Sequence, residues 1–223
     1  MEIAQKLHEI FHGSSRAHGS FKVESASLGQ KTQGKAKTIK TAGASLKHWQ
    51  DHVAGIEGLG VIPIDEENSV KWGAIDIDVY SLDLEKLVAK IEEFKLPLVV
   101  CRSKSGGAHV FCFLKEKVPA ADMQDKLREI AAGLGYGGVE IFPKQREVLV
   151  ERGDIGSWLN MPYFEGEDSL RYGFDVKGKA LPLIKFIAFV EKRCISHEEL
   201  IALEVPIVND MLEGPPCLQV LLE

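Results

Sequence analysis

The most regular stretch of the chain is WGAIDIDVY (72–80), where Ile75, Ile77 and Val79 alternate with Ala74, Asp76, Asp78 and Tyr80. Successive side chains of a strand point to opposite faces, so the alternation predicts a strand with one apolar and one largely polar face. Residues 83–94 then place apolar groups at Leu84, Leu87, Val88, Ile91 and Phe94, the spacing of one helix face. LPLVVCRS (96–103) reads as a strand, KSGG (104–107) as a turn with the glycines a tight hairpin needs, and AHVFCFL (108–114) as the returning strand. Pro119 opens a second helix whose stripe is Met123, Leu127, Ile130, Ala131 and Leu134. GLGYGG (133–138) breaks that helix, and VEIFP (139–143) forms a fourth strand.

The order βαββαβ predicts an α+β fold built on a ferredoxin-like, or RRM-like, core. Its strands would lie in the order 4-1-3-2, with both helices on one face and the other face open to carry a site. The flanks are less regular. Residues 1–12 read as a short helix with Ile3, Leu7, Ile10 and Phe11 as its stripe. Residues 13–47 are rich in Gly, Ser, Thr and Lys and read as loops or edge strands, 45–53 as a helix capped by Ser45, and 58–65 as a strand ending in a turn. Beyond the core, REVLVE (146–151) reads as a strand and GSWLNMPYF (156–164) as a structured loop. A helix lies within 179–194, and Ser196 with Glu199 forms a capping box opening another at 197–204. The expected organisation is an N-terminal part over 1–70, the RRM-like core over 71–165, C-terminal helices over 166–205, and the start of a downstream helical region over 206–223, where LQVLLE reads as an element cut short.

At 223 residues the chain has room for one large domain or two small ones. A hydrophobic share of 45% with 27% charged residues is that of an ordinary globular protein. No apolar run approaches the roughly 18 residues that span a bilayer, and the amphipathic start, bearing Glu2 and Glu9, is not a secretory signal. Cys101, Cys112, Cys194 and Cys217 are dispersed with no CxxC, which excludes a zinc ribbon and a disulfide scaffold and fits a reducing cytoplasm. The net charge of −6 is unevenly spread: residues 1–50 hold eight Lys/Arg against three Glu, a balance of +5, which leaves −11 for the rest. A basic arm on an acidic body suggests a polyanion on one side and metal ions on the other. Lys31, Lys35, Lys37 and Lys40 are the expected backbone-tracking residues, the plain alternative being a solvated loop.

Asp76 and Asp78 stand two apart on the first core strand and so point to the same face. Asp is disfavoured in strands, and two carboxylates this close repel unless a cation sits between them. Oxygen donors favour Mg²⁺ or Mn²⁺ over Zn²⁺. Glu140 alternates with Val139 and Ile141 on the fourth strand, which the 4-1-3-2 order sets beside the first. Three carboxylates could then hold two metal ions. His109 opens the third strand, the other neighbour of the first, and shares its side with Phe111 and Phe113. The preceding Ser103, Lys104, Ser105, Gly106 and Gly107 let backbone N–H groups approach an anion, with Arg102 and Lys104 adding positive charge for a triphosphate. Lys144 and Gln145 follow Glu140 closely enough to touch phosphate or template, and Tyr80 continues the Asp76/Asp78 face toward a nucleotide sugar.

These segments resemble the archaeo-eukaryotic primase superfamily, which includes primase-polymerases. AIDID resembles its hhhDhD strand, SKSGGAH its small-residue turn ending in His, and VEIF its acidic residue between hydrophobics, all in the family's order. RSKSGGAHVFCF, WQDHVAGIEGLGVIPID and GSWLNMPYF look most like the branch found in phages, mobile elements and TOTE-type conflict systems. The resemblance covers about residues 45–165. It implies a template-dependent nucleotidyltransferase, a DNA primase or polymerase using NTPs or dNTPs. Asp76, Asp78 and Glu140 would hold two Mg²⁺ or Mn²⁺ ions and His109 would complete the site. Arg102, Lys104, Ser105, His109, Lys144 and Tyr80 would bind the nucleotide. Single-stranded DNA template and primer would be partners, together with a helicase or primase C-terminal region, and no membrane. The chain departs from zinc-bearing primases in lacking a cysteine cluster.

Two other classes fit the same elements. A metal-dependent nuclease or replication-initiator endonuclease could use this fold, although initiators pair histidines on one strand and carry a nucleophilic tyrosine on a helix, neither of which is found here. An RNA-binding module would stack bases on strand aromatics such as Phe111 and Phe113, but aspartates on the first strand repel phosphate without metal.

Overall fold

The computed structural model describes residues 2–25, 33–79 and 81–206. Tyr80, Lys31 and the tail from 207 onward, with Cys217, lie outside the described residues. The elements run α1 (Glu2–Ile10), β1 (His18–Ser25), β2 (Gln33–Ile39), α2 (Leu46–Val53), β3 (Gly58–Val61), β4 (Ser69–Ile77), α3 (Leu84–Glu93), β5 (Leu98–Arg102), β6 (Ala108–Pro119), α4 (Ala120–Gly133), β7 (Glu140–Phe142), β8 (Leu159–Asn160), α5 (Leu183–Arg193) and α6 (His197–Ala202). They form an α+β fold with two four-stranded antiparallel sheets, ordered β5-β6-β4-β7 and β2-β1-β3-β8.

The first sheet is the expected core. Numbered within the βαββαβ unit, its order is 4-1-3-2, read from β7 through β4 and β6 to β5. Helix α3 begins where the Asp83 side chain accepts from the Lys86 N–H, and α4 follows Pro119. Their stripes pack on one side of the sheet: Leu87, Val88 and Ile91 from α3, and Met123, Leu127 and Ile130 from α4, meet Ile75, Ile77, Val100, Val110, Cys112 and Ile141.

The opposite face is not open. Trp72, Ala74, Val99, Cys101, Phe111, Phe113 and Phe142 project there and are buried beneath Leu7 and Phe11, Trp49 of α2, Leu59 of β3, Leu159 of β8, Tyr163, and Leu183, Phe186 and Val190 of α5. Phe11 is the hub of this second core. Its ring stacks on Trp49 at 5.5 Å and meets Trp72, Phe111 and Phe113 edge-on at 5.3–5.5 Å. The expectation of an uncovered sheet fails because the flanks carry more apolar surface than their Gly- and Ser-rich stretches suggested. That surface needs a partner, and the aromatic face of the sheet supplies it. Phe111 and Phe113 are therefore core residues and present no stacking surface to RNA bases.

Other boundaries shift. Strand β4 runs over 69–77 rather than 72–80, because β6 begins at Ala108, whose partner is Ile77. Past that pair the chain has no ladder to continue, so Val79 is 45% exposed instead of packed beneath the helices. Segment 146–151 forms no strand; a short 3₁₀ turn spans Val150–Arg152. Within 156–164, Leu159 and Asn160 pair with Val61 and Gly60, so β8 returns from beyond the core to complete the second sheet. Over 13–47, β1 and β2 form an antiparallel pair with β2 at the sheet edge. Trp158 lies flat over Gly19 and Gly60, where an added Cβ would come within 2.3 Å of the indole, and its Nε1 donates to Thr38 Oγ1 at 3.0 Å.

Truncating the aromatic hub should open a cavity that the rigid rings around it cannot collapse to fill. Phe11→Ala is expected to cost about 3–5 kcal/mol of unfolding free energy, measured as a shift in the urea midpoint at unchanged slope.

Candidate nucleotidyl-transfer site

Antiparallel register sets three side chains in a row. Asp76 on β4 is the direct cross-strand partner of His109 on β6 and of Glu140 on β7. Directly opposed residues share a face, and here it is the face of Trp72, Phe111 and Phe142, away from α3 and α4. The row lies where the second layer stops: His109 is buried, Asp76 is part-buried, and the Glu140 side chain is 60% exposed. Asp78 follows the end of β4 and is exposed.

The turn between β5 and β6 packs against this row. Ser103 N–H donates to Gly107 O at 2.9 Å and Gly106 N–H to Ser103 O at 3.2 Å. Gly106 adopts φ +94°, and an added Cβ on Gly107 would lie 2.1 Å from Ile77 O. These are the conformation and the close approach that glycine permits. Ser105 Oγ donates to Asp78 Oδ1 at 2.8 Å and lies 3.1 Å from Ser103 Oγ, which ties the turn to the acid pair.

The other nominated cations contact the protein. Lys144 Nζ pairs with Glu140 at 2.7 Å. Lys104 Nζ lies 3.5 Å above the Phe21 ring of β1. Arg102 Nη1 donates to Leu170 O at 3.2 Å, bracing the segment beside β5. Gln145 exchanges hydrogen bonds with Ser157 at 2.9 and 3.0 Å and so holds the loop that carries Trp158. Lys35, Lys37 and Lys40 are exposed along and just after the edge strand β2.

The electrostatics are unbalanced. Burial, then the charges of Glu140 and Asp78, push the Asp76 carboxyl up to about 6, with Lys144 opposing. Burial, and next the Arg171 charge, hold His109 down at about 4, while the Asn160 backbone carbonyl accepts from the imidazole. The 3.5 Å contact of His109 Nε2 with Asp76 Oδ1 is therefore a neutral imidazole beside a reluctant acid rather than an ion pair at neutral pH. Three hard oxygen donors, one of them destabilised by the other two, suit a divalent cation in charge and donor type. Lys144 and Ser105 partly take that role now by holding Glu140 and Asp78. With the side chains so turned, no group of three or more His, Cys, Asp or Glu among the described residues stands close enough to hold a metal ion.

Two nearby residues have no site role that the sequence makes readable. Asn160, delivered by β8, caps His109 through its carbonyl. Arg171 lies 62 positions from His109 and bears on it electrostatically. Both meet the site through long-range packing, which strand and helix periodicity cannot report.

An RRM-like sheet with one acid on its central strand and a second just past its end, a third acid on the neighbouring edge strand and a histidine on the other neighbour has the layout of a domain of the primase type. The family model for the archaeo-eukaryotic primase domain of TOTE conflict systems matches residues 22–171, and the chain belongs to that family. Among solved structures, the archaeo-eukaryotic primase domain of the cyanophage S-2L primase-polymerase matches with a TM-score of 0.42 and 11% identity, covering 79% of this chain and 89% of that one. A search of curated proteins finds no match. No helix among the described residues is long and apolar enough to cross a membrane.

The shifted groups give opposing pH dependences. His109 and His52, both held near 4 against an ordinary 6.5, favour the folded state above pH 6.5 and lose that contribution as pH falls toward 4. Asp76 acts the other way: its contribution is most favourable below 3.8 and is lost as pH rises through about 6. Asp76→Asn removes only the second. In metal-free buffer the variant should therefore gain more stability than the wild type between pH 4.5 and 6.5, measured as the change in urea midpoint.

Proposed function

We propose that the protein is a template-dependent nucleotidyltransferase, a primase-polymerase that extends nucleic acid from nucleoside triphosphates. The observation that carries this reading is the cross-strand row of His109, Asp76 and Glu140 with Asp78 and the Ser103–Gly107 turn beside it, in a chain of the archaeo-eukaryotic primase family.

In this reading Asp76, Asp78 and Glu140 hold the divalent ions, Mg²⁺ or Mn²⁺. When bound, such ions lower the pKa of the attacking 3′-hydroxyl and neutralise the triphosphate and the departing pyrophosphate. The chain's own residues set up that chemistry. The β4 register fixes Asp76 between its neighbours, so rotation of the side chains, with no shift of the strands, is what a cation requires. Ser105 is released from Asp78 and donates to phosphate. Lys144, paired with Glu140 at 2.7 Å, would turn toward the nucleotide if Glu140 served an ion. His109, kept neutral and donating its one N–H to the Asn160 carbonyl, lines the site beside Asp76 and bears no charge that would repel the ions. Lys104 adds charge at the turn. Arg102 supports the site by holding the segment at Leu170. Lys35, Lys37 and Lys40 track template phosphates, which makes binding salt-sensitive. The row contains one histidine, and Phe111 and Phe113 are buried. Both observations weigh against an initiator endonuclease and an RNA-stacking module.

Primer extension on a single-stranded template with Mg²⁺ or Mn²⁺ tests the reading. Asp76→Ala, Asp78→Ala and Glu140→Ala should each lower the rate by at least about 100-fold, the scale of losing a group that stabilises transition-state charge. Near-normal synthesis by any one of them would remove that residue from the metal set. Metal-dependent cleavage of labelled DNA without nucleotides, and no synthesis, would replace the polymerase reading with a nuclease.

A further inference from the structure

Arg171 is 7% exposed. A buried charge is costly unless it is paired and hydrogen-bonded. Its guanidinium lies over the Phe164 ring at 5.4 Å, but Nη1 is buried with no hydrogen-bond partner. Glu165 is the carboxylate whose field reaches it, and no ion pair within 4.0 Å forms between them among the described residues. A second polar atom nearby is in the same state: Asn160 Oδ1 is buried and unpartnered, on the residue whose carbonyl caps His109.

The backbone places Arg171 beside the turn between β5 and β6. Arg102, the residue before that turn, donates its backbone N–H to Tyr172 O at 2.9 Å and its Nη1 to Leu170 O at 3.2 Å, so Arg171 sits between two residues that Arg102 holds. Cys101 on β5 bridges to Gly173 on one side and pairs with His109 on the other. Arg171 N–H donates to Ser169 Oγ, and Arg171 O accepts from Tyr163 N–H, so its backbone is fixed on both sides. A cation this well anchored, with an unused donor and no acid of its own, is poised for an anion supplied from outside.

We infer that Arg171 is a binding residue for the polyphosphate of the incoming nucleotide, its free Nη1 meeting a phosphate oxygen beside His109. The inference rests on the nucleotidyl-transfer reading in taking a nucleoside triphosphate as the ligand. Its geometry is favourable because a guanidinium is permanently charged and forks onto phosphate oxygens. It also accounts for the burial: excluding water strengthens the contact when the anion arrives, and the unliganded chain carries the cost.

The experiment uses the whole chain with Arg171→Met and Arg171→Lys, and inorganic tripolyphosphate in metal-free buffer as the probe. Thermal melting is read with and without the probe, and KM for nucleotide is measured by primer extension. Tripolyphosphate should raise the wild-type melting temperature. Arg171→Met should melt at or above the wild-type temperature when unliganded, lose the tripolyphosphate shift, and raise KM about 10- to 100-fold, the scale of a hydrogen bond to a charged group. Arg171→Lys keeps the charge without the fork and should retain part of the shift. A lower melting temperature in Arg171→Met with the shift and KM intact would make Arg171 a structural cation and overturn the inference. So would the absence of any tripolyphosphate shift in the wild type or, if Arg171→Met does not fold, an Arg171→Lys protein that binds as the wild type does. A wild type that binds tripolyphosphate through Arg171 yet extends no primer would instead sink the polymerase reading and leave the anion site standing.

Discussion

Antiparallel register governs this site. The ladder that pairs Ile75 with Val110 and Ile141 also pairs Asp76 with His109 and Glu140. Apolar packing on the α3/α4 side fixes the register, and the register then forces acids together on the other side. A slip of one residue would send Asp76 into the helix-packed core and Ile75 toward solvent. The repulsion at the site is thus sustained by hydrophobic burial elsewhere in the same strands. A carboxyl pushed up to about 6 is the local sign of that conflict.

Burial on both faces makes the arrangement rigid. The helix side has an aliphatic core and the other side an aromatic one centred on Phe11. The site occupies the margin of the aromatic layer, where Asn160 from β8 reaches His109 and Phe21 from β1 takes Lys104. The N-terminal sheet is therefore part of the site's construction, contributing a cap and a cation platform.

The βαββαβ core and its strand order were legible because each element has a clean period: alternation around Asp76, three-to-four spacing in α3 and α4, and Gly106-Gly107 between two strands. The juxtaposition of Asp76, Glu140 and His109 followed from topology alone. What could not be read was the second layer. Residues 13–47 lack apolar periodicity because β1 and β2 are short of large side chains, with Gly19 where Trp158 needs room. REVLVE has the composition of a strand but joins no ladder: Val148 is buried and its N–H donates to the Asn68 side chain at 2.6 Å, so tertiary context decided against it. Arg171 carries no motif and Asn160 sits in GSWLNMPYF, read only as a structured loop; their importance arises from contacts made across 50 or more residues of chain.

Strand β8 closes a sheet whose other members come from the first 61 residues. During synthesis the edge of β3 must wait for almost a hundred further residues before Leu159 and Asn160 emerge to pair with it, and the aromatic side of the core sheet waits longer still for Tyr163 and α5. A fragment ending with the last core strand would hold every motif acid and the histidine, yet leave that imidazole without its carbonyl cap and a broad aromatic surface wet. The smallest autonomous unit of this protein thus reaches past β8 to α5, well beyond the last of the motif acids.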